Sequence, residues 1–151
     1  MTLPHRIAAG GITFRNGVVL LVRYQPSNSE SYLAAPGGAL EDHENIIQAI
    51  IRETKEETNI IVKPRRVVII EDLICKAFKM SKVWMVCDYI SGEISATSES
   101  IKEGIIIADW FARSQLNNEV VYPKQLLEKT WNVLNSADWQ VEIPPYGEMD
   151  N

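Results

Sequence analysis

One stretch, residues 44–58, carries a helical period in a chain whose other apolar runs through residue 111 are strand-like, and that contrast limits the available folds. At about 100° per residue, Ile47, Ile50, Ile51, Thr54 and Thr58 share one stripe, which is expected to face a core. Residues 7–14 and 18–24 are apolar and β-rich, and Arg15-Asn16-Gly17 between them predicts a hairpin. Residues 25–31 read as an exposed loop, and residues 33–38 as a short extended piece ending in a flexible Pro-Gly-Gly turn. Residues 67–77, 83–90 and 105–111 read as strands, with a turn at Ser91-Gly92 and a polar loop over 94–102. Leu126, Leu127, Trp131 and Leu134 predict a second amphipathic helix over 123–135, and residues from about 137 read as a loosely packed tail. A hairpin, a helix, several strands and a final helix predict one α+β domain over residues 1–151, with helices layered on a sheet.

The whole-chain properties exclude several classes. At 151 residues the chain is long enough to bury a core of its own. Its net charge of −5 argues against a duplex nucleic-acid partner, although a bound cation can reverse the field locally. Cys75 and Cys87 lie in apolar runs without C-x-x-C spacing, so they read as buried thiols rather than a disulfide or metal pair. No run approaches the roughly 20 apolar residues of a membrane span, which makes a cytoplasmic monomer or homodimer the default expectation.

Glu53, Glu56 and Glu57 stand at i, i+3 and i+4, crowded on a different side of the helix from the apolar stripe. Such carboxylates repel by a few tenths of a kcal/mol per pair, which Arg52 and Lys55 offset only in part. A hard divalent cation offsets more, because it prefers oxygen ligands. Taken alone, the triplet reads as an ordinary solvated acidic face. Its setting changes that reading: Gly37-Gly38 leaves room for close backbone approach, and Glu44 and Arg52 complete a compact loop–helix unit.

From Gly38 to Ile60 the sequence GALEDHENIIQAIIRETKEETNI resembles the box of the Nudix hydrolase family, G-x5-E-x7-R-E-U-x-E-E-x-G-U with U a bulky aliphatic residue. The first glycine and every charged position match. Thr54 replaces the first aliphatic residue and Asn59 the second glycine. Asn tolerates the left-handed conformation that ends a helix, so Asn59 is expected to cap as glycine would.

The resemblance implies an α/β/α sandwich around a mixed sheet, and a Mg2+- or Mn2+-dependent hydrolase of a diphosphate linkage in a nucleoside diphosphate derivative or nucleoside triphosphate. It implies that Glu53, Glu56 and Glu57 bind metal, with the Gly38 carbonyl as a further ligand. Glu53, Glu56, Arg52 and Glu103 form the catalytic set; Arg52 holds a glutamate and Glu44 sits opposite it in the outer shell. The general base is Glu53 or a loop glutamate, Glu103 before Glu99. Arg23 is the candidate diphosphate contact, and Tyr24 or Phe78 a candidate for stacking on a base. Lys63, Arg65 and Arg66 read as solvated, Trp84 and Trp110 as sheet core, and His5 and His43 receive no role. The isoprenoid-isomerase branch of the same fold needs more metal-binding histidines than the two present. A non-catalytic nucleotide sensor on the same scaffold is the remaining alternative, disfavoured because all box glutamates are kept.

Overall fold

Asn16 and Gly17 take positive φ, 51° and 81°, which lets a two-residue turn match the twist of the strands it joins. The computed structural model describes residues 2–148 and forms the expected hairpin there, from β1 (His5–Arg15) and β2 (Val18–Tyr24). These strands pair only beside the turn, Phe14 with Val19 and Arg15 with Val18, and then diverge. β1 goes on to pair with β4 (Gly37–Ala39) and, in parallel, with β6 (Lys79–Ser91). β2 pairs with β3 (Tyr32–Ala34) and β7 (Ile105–Ala112). With β5 (Ile61–Ile74), β8 (Val121–Tyr122) and β9 (Gly147–Glu148), the strand order is β8-β3-β2-β1-β6-β5-β9, with β4 on β1 and β7 on β2. Parallel and antiparallel pairs coexist, so this is a mixed, curled sheet of the α+β class.

Helices close both apolar clusters. α1 (Ile46–Thr58) packs Ala49 and Ile50 against Ala9, Leu20, Met85 and Cys87. On the other cluster Leu126 and Leu134 join Ile12, Val68, Trp84 and Val86, all within 1% of full burial. Each fully buried Leu or Ile contributes about 1.5–3 kcal/mol. The expected second helix is two single turns, α3 (Gln125–Glu128) and α4 (Trp131–Leu134). It breaks at Lys129 and Thr130, both extended, where the Trp131 indole N–H donates to the Leu126 carbonyl at 3.0 Å. Cys75 and Cys87 are free and buried, as expected.

Four further expectations are corrected. The stripe on α1 is turned toward the glutamates: Ala49, Ile50, Glu53, Thr54, Glu57 and Thr58 are buried, whereas Ile47 is 47% exposed. Pro36-Gly37-Gly38 is not a flexible turn, because Gly37 and Gly38 lie in β4, paired with Gly10 and Ala9. Within the expected loop 94–102, Ser98–Lys102 forms α2, started by reciprocal bonds between Thr97 and Ser100 at 2.9 and 3.0 Å. The segment after Ala137 is anchored rather than loose: Trp139 donates to the Val68 carbonyl at 2.8 Å, Glu142 bridges to Ile69, and β9 pairs with β5. The part of the tail expectation on residues 149–151 lies outside the described residues. In the basic cluster, Arg65 pairs with Asp88 at 2.7 Å, and Arg66 donates to the Asn135 carbonyl at 2.6 Å. Among the described residues no helix is long and apolar enough to cross a membrane.

Candidate metal and catalytic site

α1 starts two residues after Glu44, on a capping box in which Asn45 accepts from the Gln48 N–H at 2.8 Å and Gln48 accepts from Asn45 at 2.9 Å. It ends at Asn59, whose φ of 69° is the left-handed conformation expected there, with its N–H bonded to the Lys55 carbonyl. Between these ends Ala49 and Ile50 pack on the sheet, and the same face carries Glu53 and Glu57 inward.

Glu57 is 1% exposed. Its carboxylate accepts from the Tyr24 hydroxyl at 2.6 Å and from the Gly37 N–H at 2.9 Å. Burial nevertheless dominates and pushes its pKa up to about 8. Glu53, 6% exposed, is also raised by burial, against the opposing pull of Arg52. Gly38 passes directly over it: a Cβ there would stand 2.6 Å from Glu53 Oε1, and one on Gly37 2.6 Å from the Ala9 carbonyl oxygen. Absence of a side chain, rather than turn freedom, is what this strand requires of both glycines.

Arg52 ties three carboxylates. It forks onto Glu44 at 2.6 and 2.8 Å, and its third nitrogen reaches Glu53 at 3.0 Å and Glu56 at 3.1 Å. The same guanidinium donates to the Ala39 carbonyl at 3.2 Å. Glu44 is accordingly held below the usual carboxylate range by the Arg52 bond.

Glu103 arrives from outside the helix. Thr97 donates to the Glu56 carbonyl and so docks α2 on α1; Glu103 caps α2 and precedes Gly104, which has φ 79°. This brings one carboxylate oxygen from each of Glu53, Glu57 and Glu103 within 4.8 Å of one another. Glu103 is raised by partial burial and by the neighbouring Glu56. Two of these three acids are buried, with Arg52 bonded to Glu53 and the Lys82 ammonium within the field of Glu57 and Glu53. An all-oxygen donor set of this kind fits a hard divalent cation.

The grouping differs from the one the sequence implied. Glu56 stays with Arg52, outside the three converging oxygens, and Glu103 takes the third place. Glu99 is not among the three. Arg23 is held by Glu119 and by Ser31 at 3.1 Å, touching none of the helix acids. Phe78 lies under the Arg6 guanidinium at 4.1 Å, and Tyr24 meets the site through its hydroxyl. Two contributors escaped sequence reasoning, the Gly37 N–H and the Thr97 tether. The second had a readable signal in Thr97-x-x-Ser100, a capping pattern ahead of Glu103.

Gly38→Ala is expected to leave the fold intact, because the added methyl meets the end of the Glu53 side chain, which can yield. It should lower divalent-cation affinity by roughly tenfold or more, the scale of losing a residue that orients a ligand, as read by Mn2+ titration calorimetry. Unchanged affinity would remove Glu53 from the cation site.

Comparison with known proteins bears on the family and the fold. A family model described as NUDIX domain matches residues 4–130. A protein of Methanocaldococcus jannaschii named ADP-ribose pyrophosphatase is 35% identical over 57 residues, 38% of this chain and 34% of its own length. The chain thus spans about a third of the curated relative it matches. Among solved structures, a NUDIX hydrolase from Nitrosomonas europaea has a TM-score of 0.68 at 22% identity, covering 83% of this chain and 84% of that one. A UDP-X diphosphatase has a TM-score of 0.70 at 21% identity, covering 97% of this chain and 68% of that one. At such identities the structural likeness establishes the fold.

Proposed function

The chain belongs to the NUDIX family, and from that premise we propose that it hydrolyses a diphosphate linkage, in a nucleoside diphosphate derivative or a nucleoside triphosphate. The single observation that carries the reading is the convergence of Glu53, Glu57 and Glu103 within 4.8 Å. Mg2+ or Mn2+ is the cation these three would hold; Glu56, bonded to Arg52 through one oxygen, keeps the other for such a cation. Bound there, the cation supplies charge neutralisation for the diphosphate and a lowered pKa for water.

The chain's own residues divide the remaining work. Arg52 and Glu44 brace the helix acids so that Glu53 keeps its direction. The Tyr24 hydroxyl and the Gly37 N–H each bond one oxygen of Glu57 and so fix its direction, leaving lone pairs for a cation. Glu103 is the exposed member of the three, and we assign it the water's proton, ahead of Glu53. ADP-ribose and UDP-linked compounds, named for the relatives, are the first substrates to try.

A panel of nucleoside triphosphates, ADP-ribose and nucleotide sugars with Mg2+, scored for released phosphate and nucleotide, tests the proposal. Turnover of at least one member is expected. Tight nucleotide binding with no turnover of any would favour the non-catalytic sensor instead.

The raised Glu57 gives a pH test. In the folded, metal-free protein its pKa is about 8 against an ordinary 4.5, so folding holds a proton that the unfolded chain releases. Stability of the metal-free protein should therefore fall as pH rises from about 4.5 to about 8. Cation binding expels the proton, so apparent affinity should climb by up to about tenfold per pH unit below pH 8 and then level off. Calorimetry in buffers of different ionisation enthalpy measures the released proton. A flat affinity from pH 6 to pH 8.5 would contradict a protonated Glu57.

A further inference from the structure

The two arginines expected at the site are already engaged. Arg52 is bonded to Glu44, Glu53 and Glu56, and Arg23 to Glu119 and Ser31. Lys55 of α1 donates to the Asn59 side chain at 2.8 Å. Lys82 of β6 differs from these. Among the described residues it makes neither an ion pair nor a side-chain hydrogen bond.

The sheet register brings Lys82 beside the helix acids. It pairs with Ala8 of β1 and Glu71 of β5, and Ala8 pairs with Ala39 of β4, so these four share one row and one face. The neighbouring row on that face is Gly37, Gly10 and Trp84. The Trp84 ring lies across Gly10, where a Cβ would stand 2.3 Å from it. It thus extends toward Gly37, whose N–H holds Glu57. Glu71 accepts the Trp84 indole N–H and fixes the ring, and the Lys82 ammonium sits over it at 4.2 Å from the ring centre. Burial lowers the pKa of this ammonium, and Glu57, Glu71 and Glu53 oppose that shift.

A lysine stem on an indole supports the fold, and an ammonium beside three acids offsets their repulsion. Neither task uses the three N–H donors, which have no protein partner on a half-buried side chain. Such donors are costly to desolvate, and phosphate oxygens relieve that cost with charge-assisted bonds. The same positive charge stands against a bare divalent cation on Glu53 and Glu57.

We propose that Lys82 couples the two ligands of this site: it opposes the cation alone, and it donates to a non-bridging oxygen of the diphosphate once both are present. Cation and diphosphate then bind as a pair, each raising the affinity for the other. Lys82 takes the place that sequence reasoning gave to Arg23. The inference rests on the hydrolase reading of Glu53, Glu57 and Glu103.

The test compares the full chain with Lys82→Met and Lys82→Arg, each checked by thermal melting. Calorimetry measures Mn2+ alone, and then methylenediphosphonate, a diphosphate that cannot be hydrolysed, at saturating Mn2+. Lys82→Met keeps a stem for the Trp84 ring and removes the charge. It should bind Mn2+ alone a few-fold more tightly and the diphosphonate roughly tenfold or more weakly. Lys82→Arg keeps the charge and should retain most of the wild-type behaviour toward both ligands. A lysine that only supports the fold would weaken both ligands together, and one that only balances the acids would leave the diphosphonate unchanged. Any result in folded Lys82→Met in which the two affinities fail to move in opposite directions overturns the coupling. If they do so in a protein that hydrolyses nothing on the nucleotide panel, the coupling stands and the hydrolase reading fails.

Discussion

Glu57→Gln is expected to lower kcat by on the order of a thousandfold, the rate equivalent of the several kcal/mol that a catalytic metal contributes. The substitution keeps the shape of the side chain and one oxygen to accept from Tyr24 or Gly37. What it removes is the ionisable oxygen among the three that converge. Stability should move the other way. The wild-type carboxyl is pushed up to about 8 by burial, so at pH 8.5 the metal-free protein carries a buried charge that the amide lacks. The variant's melting midpoint at that pH should equal or exceed that of the wild type. Activity and stability moving in opposite directions separate a lost ligand from a damaged fold. Undiminished turnover in the folded variant would sink the cation site.

Arg52→Met should destabilise the metal-free protein by about 2 kcal/mol, below the 3–5 kcal/mol typical of a fully buried pair because the Arg52 side chain is 22% exposed. Glu44 and Glu53, at 11% and 8% side-chain exposure, would lose their counter-charge together, and Glu56 with them. The shift appears in the denaturant midpoint, and saturating Mg2+ should recover part of it by restoring positive charge beside Glu53. Arg52→Lys restores charge without the forked bond to Glu44, and is expected to fall between the two. A midpoint unchanged in Arg52→Met would mean that these three acids are already well solvated.

Local chemistry made some of this legible. Asn16-Gly17 specified the hairpin, and Asn59 ended α1 in the left-handed conformation its side chain tolerates. The charged spacing from Glu44 to Glu57 identified the helix that carries the acids. Periodicity failed on that same helix because it scores apolar residues. Here two carboxylates, Glu53 and Glu57, occupy the buried face while Ile47 stays outside. Hydrogen bonds from Gly37 and Tyr24 hold Glu57 in place, and neither lies within ten residues of it in the chain.

The remaining misreadings share a cause. Pro36-Gly37-Gly38 has turn composition, yet its glycines serve an extended strand pressed against Ala9 and Glu53. The helix over 123–135 has helical spacing, yet it breaks where Trp131 turns to bond Leu126 and pack on Phe14 at 5.4 Å. In both places contacts from distant parts of the chain outweigh local preference. Glu103 lies between these extremes: its residue type and loop position were readable, but its approach to Glu53 and Glu57 depends on the bond from Thr97 to α1.

The anchored C-terminal segment has a bearing on self-association. β5 forms one side of the sheet, with 14 residues whose outward N–H and C=O groups would otherwise offer a template to another chain. Glu142 and Gly147-Glu148 run parallel to its second half from Ile69 to Ile74, and Ile70 donates to the Glu142 carbonyl at 3.0 Å. Those last residues act as a selvedge, finishing a border that would otherwise invite sheet-to-sheet growth.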